Sequence, residues 1–172
     1  NSPERRADTW PQGNHITWQF PGNEMTEKDT LQLEWFDGEF YPPKEIMDLY
    51  KDGEYPAESS MLIGTEGALL IPHGKMPVYI PFGTPKEVKL PSLAERNHYH
   101  HFVDACLGGE KTESHFAQSG PMAEAVLLGT IAIRVPDQLL TWDSAKMKFP
   151  NYPAAEKFLK RTYRKGWEVK GF

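Results

Sequence analysis

Hydrophobic and polar residues alternate along the first part of the chain. Ile16, Trp18 and Phe20 are interleaved with Thr17 and Gln19, and Leu31, Leu33 and Trp35 with Gln32 and Glu34. A period of two is that of a strand with one covered face, so the pattern predicts strands over 16–20 and 31–36 joined by the polar loop PGNEMTEKD. The stretch from Asp37 to Ser59 is rich in proline, glycine and acids and reads as an excursion with one helical turn near 45–50. In MLIGTEGALLI, two apolar runs flank GTEG, which predicts a hairpin over 61–71 with glycines supplying positive φ. Neither run alternates, so both are expected to be covered on both faces. MPVYIPF, residues 76–82, predicts one more strand, placed at an edge by its prolines.

Further on, the spacing becomes helical. Tyr99, Phe102, Val103 and Cys106 recur at three and four residues, and Gly108 and Gly109 end the run. Cys106 falls on that apolar stripe and is expected to be a buried small hydrophobe. GPMAEAVLLGTIAIR is expected to begin with Pro121 in a first turn. Its body, Met122 to Ile133, is apolar nearly all round, which predicts the most buried helix of the chain. QLLTWD (138–143) reads as a short strand. PAAEKFLKRTYRKGW (153–167) reads as a final amphipathic helix with Ala155, Phe158, Leu159 and Thr162/Tyr163 on one side. Strands followed by helix, helix, strand and helix predict an α+β fold, an antiparallel or mixed open sheet with helices packed on one face.

Composition narrows the class. A chain of 172 residues fits one domain with a sizeable core. The 14 glycines and 15 prolines exceed the usual share and predict many turns. With a net charge of −5, no overall field draws in nucleic acid or anionic lipid, so neither is expected as a partner. A lone cysteine rules out an internal disulfide and a zinc-finger spacing. No apolar run approaches the ~20 residues that cross a bilayer. The opening NSPERRADTW is polar and has no signal-peptide pattern; residues 1–12 read as a linker-like entry to a domain of a longer protein.

Several chemistries lack their motifs. There is no G-x-G-x-x-G, no G-x-x-x-x-G-K-[ST] and no G-x-S-x-G, so neither a dinucleotide loop nor a serine elbow can be built from these residues. GTEG superficially matches the G-x-x-G loop of RNA-binding KH modules, but it joins strand-like runs and carries Glu66. The cations Lys157, Lys160, Arg161, Arg164 and Lys165, interleaved with aromatic residues, read as a helix C-terminus offsetting its own dipole.

The histidine-rich run NHYHHFVDACLGG, 97–109, is the candidate site. His98, His101 and Asp104 are spaced by three and share one helical face, which a divalent metal would require, but H-x-x-H alone is a weak match and no metal is expected. A plainer reading is a solvated first turn with His100 and Asp104 paired. In a third, His98 and Tyr99 at the helix N-terminus hydrogen-bond a sugar hydroxyl; these two are the candidate substrate-binding residues.

Five segments, IGTEGALLI, HYHHFVDACLGG, GPMAEAVLLGTIAIR, LTWD and LKRTYRKGWEV, resemble in that order the C-terminal domain of the Gfo/Idh/MocA oxidoreductases, in a bacterial branch with a WPQG-like entry and an RKGW ending. The resemblance spans nearly the whole chain. It implies an N-terminal Rossmann domain on the same polypeptide that binds NAD or NADP, with none bound to this chain. It implies a sugar or polyol substrate and a homo-oligomer formed through the sheet face. That in turn gives Trp18 and Trp35 a partner surface. The family's catalytic lysine lies in E-K-P and its histidine in G-x-H-x-x-D. Neither motif is present, so no catalytic residue carries over, and the chain alone should be inactive. His98 matches the histidine that opens the family's H-x-x-x-[FW] helix. A branch that cleaves glycosides through transient oxidation shares this architecture, and a stand-alone binding or assembly module is the reading outside it. Relatives of the branch are often exported with folded cofactor, so the resemblance allows a periplasmic as well as a cytoplasmic parent.

Overall fold

The computed structural model describes residues 9–84, 88–89 and 92–170. Of the linker-like entry, residues 1–8 lie outside them. The chain divides into two compact units, 1–97 and 98–172, and the fold is α+β with antiparallel sheets.

The first unit holds two sheets. β1 (Asn14–Pro21) and β2 (Thr30–Asp37) pair antiparallel, with Ile16 opposite Trp35, Trp18 opposite Leu33 and Phe20 opposite Leu31. This register puts Ile16, Trp18, Phe20, Leu31, Leu33 and Trp35 on one face. The other face carries His15, whose Nε2 lies 2.7 Å from Glu34 Oε2 and whose ring stacks on Phe36 at 4.4 Å. Asp37 ties the strand ends together by accepting from the Asn14 backbone N–H at 2.7 Å and from Trp35 Nε1 at 2.6 Å. A short α1 (Lys44–Met47) continues as turns to Tyr50, as the excursion's helical turn requires.

β3 (Ser59–Ile63), β4 (Gly67–Pro72) and β5 (Val78–Pro81) form the second sheet in the order β3-β4-β5, so β5 is an edge strand. The hairpin over 61–71 is present, but its glycines act differently from expectation. Neither Gly64 nor Gly67 has positive φ. A Cβ on Gly67 would instead come within 2.6 Å of the Ile80 carbonyl oxygen and 2.9 Å of the Tyr79 ring. The glycine is needed for the close approach of β5. The two-sided burial expected of these runs is not realised either. Ala68 and Leu70 are buried on one face of β4, while Leu62 and Ile63 of β3 are exposed.

In the second unit, α2 (His98–Cys106) stops as expected: Gly108 takes φ +94° and the Gly109 N–H donates to the Asp104 carbonyl at 2.8 Å. α3 (Phe116–Arg134) begins five residues before Pro121. His115 is extended and its carbonyl accepts from the Gln118 and Ser119 N–H groups, which nucleates the helix there. Pro121 is therefore interior, with the small Gly120 before it easing the steric restriction on a residue that precedes proline. α3 is not the thoroughly buried helix that its composition predicts. Gly129 and Ile131 are buried, but Met122, Val126 and Leu127 are exposed. With the added turn it reaches 19 residues, enough to cross a bilayer by length and composition alone. Its inner side instead belongs to a core in which Ile131, Phe149 and Ala155 are buried, with Leu128, Val135, Leu140, Trp142, Tyr152 and Leu159 packed around them.

QLLTWD is not a strand, although Leu140 and Trp142 do alternate inward with exposed Leu139 and Thr141. The Asn151 side chain takes the backbone groups a neighbouring strand would use, accepting from the Thr141 N–H at 2.8 Å and donating to the Leu139 carbonyl at 2.6 Å. The final amphipathic helix shrinks to a 3₁₀ helix, Pro153–Phe158. A helix continued to Trp167 would stack Lys157 on Arg161, Lys160 on Arg164 and Arg161 on Lys165, like charges four apart. Instead Arg161 sits 5.5 Å from the Tyr163 ring centre and Arg164 sits 4.6 Å from that of Trp167.

Candidate functional site

The N-terminal turn of α2 presents the two candidate residues side by side. His98 and Tyr99 meet edge to face, ring centres 5.4 Å apart at 70°, and Tyr99 is 78% exposed. Successive helical residues point about 100° apart, so an edge-on pair reaches solvent in two directions and forms a ledge. The apolar stripe expected to be core, Tyr99, Phe102, Val103 and Cys106, is exposed throughout. Cys106 is a free, accessible thiol and not the buried hydrophobe that the spacing implies. The reason is that no described residue of this unit covers the stripe; the side of α2 turned inward carries His101 and Ala105.

His101 has only 14% of its side chain exposed, and its Nε2 is buried with no hydrogen-bond partner. Its Nδ1 lies 3.7 Å from Glu113 Oε2, too far for a hydrogen bond and within range of an ion pair. Among the described residues, no group of three His, Cys, Asp or Glu side chains is placed to hold a metal. The cluster thus separates into a solvent-facing pair, His98 and Tyr99, and an inward histidine.

A second feature was not singled out from the sequence. Thr65, Glu66, Tyr79, Phe82 and Thr84 line an open concavity of about 280 Å³ where the β3–β4 turn meets the end of β5. The Phe82 N–H donates to the Glu66 carbonyl at 2.9 Å, closing one wall. GTEG and PFGT mark both turns in the sequence, but their convergence depends on β5 lying beside β4, which local pattern does not encode. A carboxylate, a phenol and two hydroxyls on one rim can exchange hydrogen bonds with a polyhydroxylated ligand.

The perturbed carboxylates all have local hydrogen-bond causes. His15, then Gln32, bond to Glu34 and hold it below the usual range. Glu124 is held low by the Ser144 hydroxyl and then Trp142 Nε1, each 2.6 Å from Oε1. Lys146 does the same for Asp143, and Lys44 for Asp48. Each lowered carboxyl is ionised at neutral pH and fixes structure; none has the raised pKa of a general acid. Compared with known protein families, with curated proteins and with solved structures, the chain matches none.

Proposed function

We propose that the chain is the substrate-pocket and oligomerisation domain of an NAD(P)-dependent sugar or polyol oxidoreductase, inactive by itself. The observation that carries this is the open apolar face of the β1–β2 sheet. Ile16, Trp18, Phe20, Leu31, Leu33 and Trp35 share it in register; the β1 residues are half-buried, while Leu31, Leu33 and Trp35 of β2 are exposed, Trp35 by 54%. A two-stranded sheet is marginal in water without a covered face, and a contiguous apolar surface of this kind marks an interface. A second copy seated on this face would bury it. The chemistry would belong to the rest of the parent, where a bound nicotinamide would supply hydride acceptance from a carbinol and a base outside this chain would accept the hydroxyl proton. His98 and Tyr99, as hydrogen-bonding groups on a ledge, fit hydroxyl recognition, and no residue of this chain is assigned to proton transfer.

The test is to isolate the native polypeptide bearing this domain and assay it for NAD(P) reduction on a panel of sugars and polyols. The expected result is a polypeptide of about 40–50 kDa, two domains with linkers, that reduces the cofactor. Glycoside cleavage that needs NAD without net turnover would assign the glycosidase branch instead. A native polypeptide of 19.6 kDa with no nicotinamide-dependent activity would overturn the proposal and favour a binding module.

A further inference from the structure

The segment from Lys157 to Lys170 carries six cations, Lys157, Lys160, Arg161, Arg164, Lys165 and Lys170, against one acid, Glu168. Every one of these cations is exposed. Because the segment is not helical beyond Phe158, helix-dipole compensation does not account for them. Among the described residues, none of the six is joined to a carboxylate by an ion pair. Three of the six lie over aromatic rings of the same segment: Lys157 over Phe158, Arg161 over Tyr163 and Arg164 over Trp167, at 4.6–5.5 Å. These contacts hold the cations in place while leaving their charge unneutralised. Six like charges in fourteen residues repel one another, and an acidic partner relieves that repulsion.

The same chain carries a segment of opposite sign. From Glu39 to Glu58 there are six acids, Glu39, Glu45, Asp48, Asp52, Glu54 and Glu58, against Lys44 and Lys51. All six acids are exposed, and among them Asp48 is paired, with Lys44 at 2.5 Å. We propose that the basic aromatic segment Lys157–Lys170 of one copy docks on the acidic segment Glu39–Glu58 of a second copy, and that the exchange is reciprocal. Reciprocity makes two equal contacts in a closed two-fold dimer, the commonest oligomer symmetry. Charge complementarity selects this occupant. An extended polyanion such as a membrane or RNA would also face the rest of a chain whose net charge is −5, whereas a short acidic segment interacts within about one Debye length, ~8–10 Å. The contact uses neither the β1–β2 face nor the α2 ledge, so it stands whether or not the oxidoreductase reading does.

The experiment uses the full chain and two charge-reversed variants. One carries Lys160→Glu, Arg161→Glu and Arg164→Glu; the other carries Glu45→Lys, Asp52→Lys and Glu54→Lys. Sedimentation equilibrium of the unmodified chain should show a self-association step whose Kd rises about tenfold or more between ~50 mM and ~500 mM NaCl, since exposed ion pairs are screened, over and above any association through the β1–β2 face, which salt does not weaken. Each variant alone should dimerise about tenfold or more weakly, from like-charge opposition. An equimolar mixture should recover the dimer, because both contacts then pair opposite signs. The absence of any salt-sensitive association step at low salt, or a mixture that fails to recover one, overturns the proposal. Docking within one chain would leave the unmodified chain monomeric at low salt. Association through an apolar face would persist at high salt. A chain that stays monomeric yet binds anionic vesicles or RNA would give the segment a different partner and also overturns it.

Discussion

Replacing Phe149 by Ala removes the largest side chain from the core of the second unit. Phe149 is 1% exposed, its ring lies 4.8 Å from that of Trp142, and the buried residues beside it are Ile131 and Ala155. Truncation of a buried Phe costs about 3–5 kcal/mol in transfer and cavity terms. The upper part of that range applies because the Trp142 pair adds about 0.5–1.5 kcal/mol beyond burial. The unit spans about 75 residues, and at roughly 0.05–0.15 kcal/mol per residue its whole stability is about 4–11 kcal/mol. One substitution therefore removes between about a third and the whole of it. Hydrogen exchange read by mass spectrometry is the assay. Protection should collapse from the second half of α3 through 159, the stretch that holds Leu128, Ile131, Trp142, Ala155 and the other residues of this core. It should persist in β3, β4 and β5. A loss of less than about 1 kcal/mol, the typical cost of an arbitrary substitution, would refute the assignment of Phe149 as the centre of this core. An equal loss in the β3–β5 sheet would refute its locality.

Gly38 has φ +63° and a Cβ there would overlap the Gln12 carbonyl, whereas Gly74, at φ +67°, has open space. Gly74→Ala should cost about 1 kcal/mol from backbone strain alone, Gly38→Ala distinctly more, and urea titration should rank them so. Glu124 accepts from Trp142 and Ser144 and is held below its usual pKa by them. Its stabilising effect is therefore fully present above the ordinary Glu value near 4.5 and is lost as pH falls through the lower folded value. Glu124→Gln should lower stability at pH 7 by at most about 1 kcal/mol, since the pair of bonds is solvent-accessible, and should flatten the acid limb of the stability curve. Cys106 is exposed, so a thiol reagent should label one equivalent in the native chain without denaturant; protection until unfolding would mean the α2 stripe is covered.

The parts of the fold that sequence pattern identifies are those where one periodicity decides the outcome. β1 and β2 were readable because Ile16, Trp18 and Phe20 alternate cleanly, and their register follows from matching that face to Leu31, Leu33 and Trp35. The end of α2 was readable because a glycine pair has few other uses after a helical run. Errors arose where a side chain competes with the backbone. In QLLTWD the alternation is real, and the structure honours it by turning Leu140 and Trp142 inward. Asn151, ten residues beyond Thr141, replaces the missing neighbour strand. Only three-dimensional proximity reveals that bond. In the final segment, Arg161 and Tyr163 are two residues apart, a spacing that a helix would put on opposite sides. Their contact is available to an extended backbone and not to a helical one.

Burial was the quantity least readable from pattern, for one physical reason. An apolar stripe states that a face needs covering, not what covers it. On α3 the stripe runs nearly all round, yet the cover comes from 128–159 on one side; on α2 the stripe Tyr99, Phe102 and Val103 is open. Three apolar surfaces, on α2, on α3 and on the β1–β2 sheet, are consequently unsatisfied among the described residues. A surface that exists to be dissolved would carry charge at these positions, as the polar face of β1–β2 does with His15 and Glu34. The separation of the site follows from the same rule. His98 and Tyr99 are consecutive at the start of α2, so their proximity is a local matter that sequence alone gives. The β-turn concavity, built by Gly67 yielding space to β5, needed long-range pairing before it could be recognised.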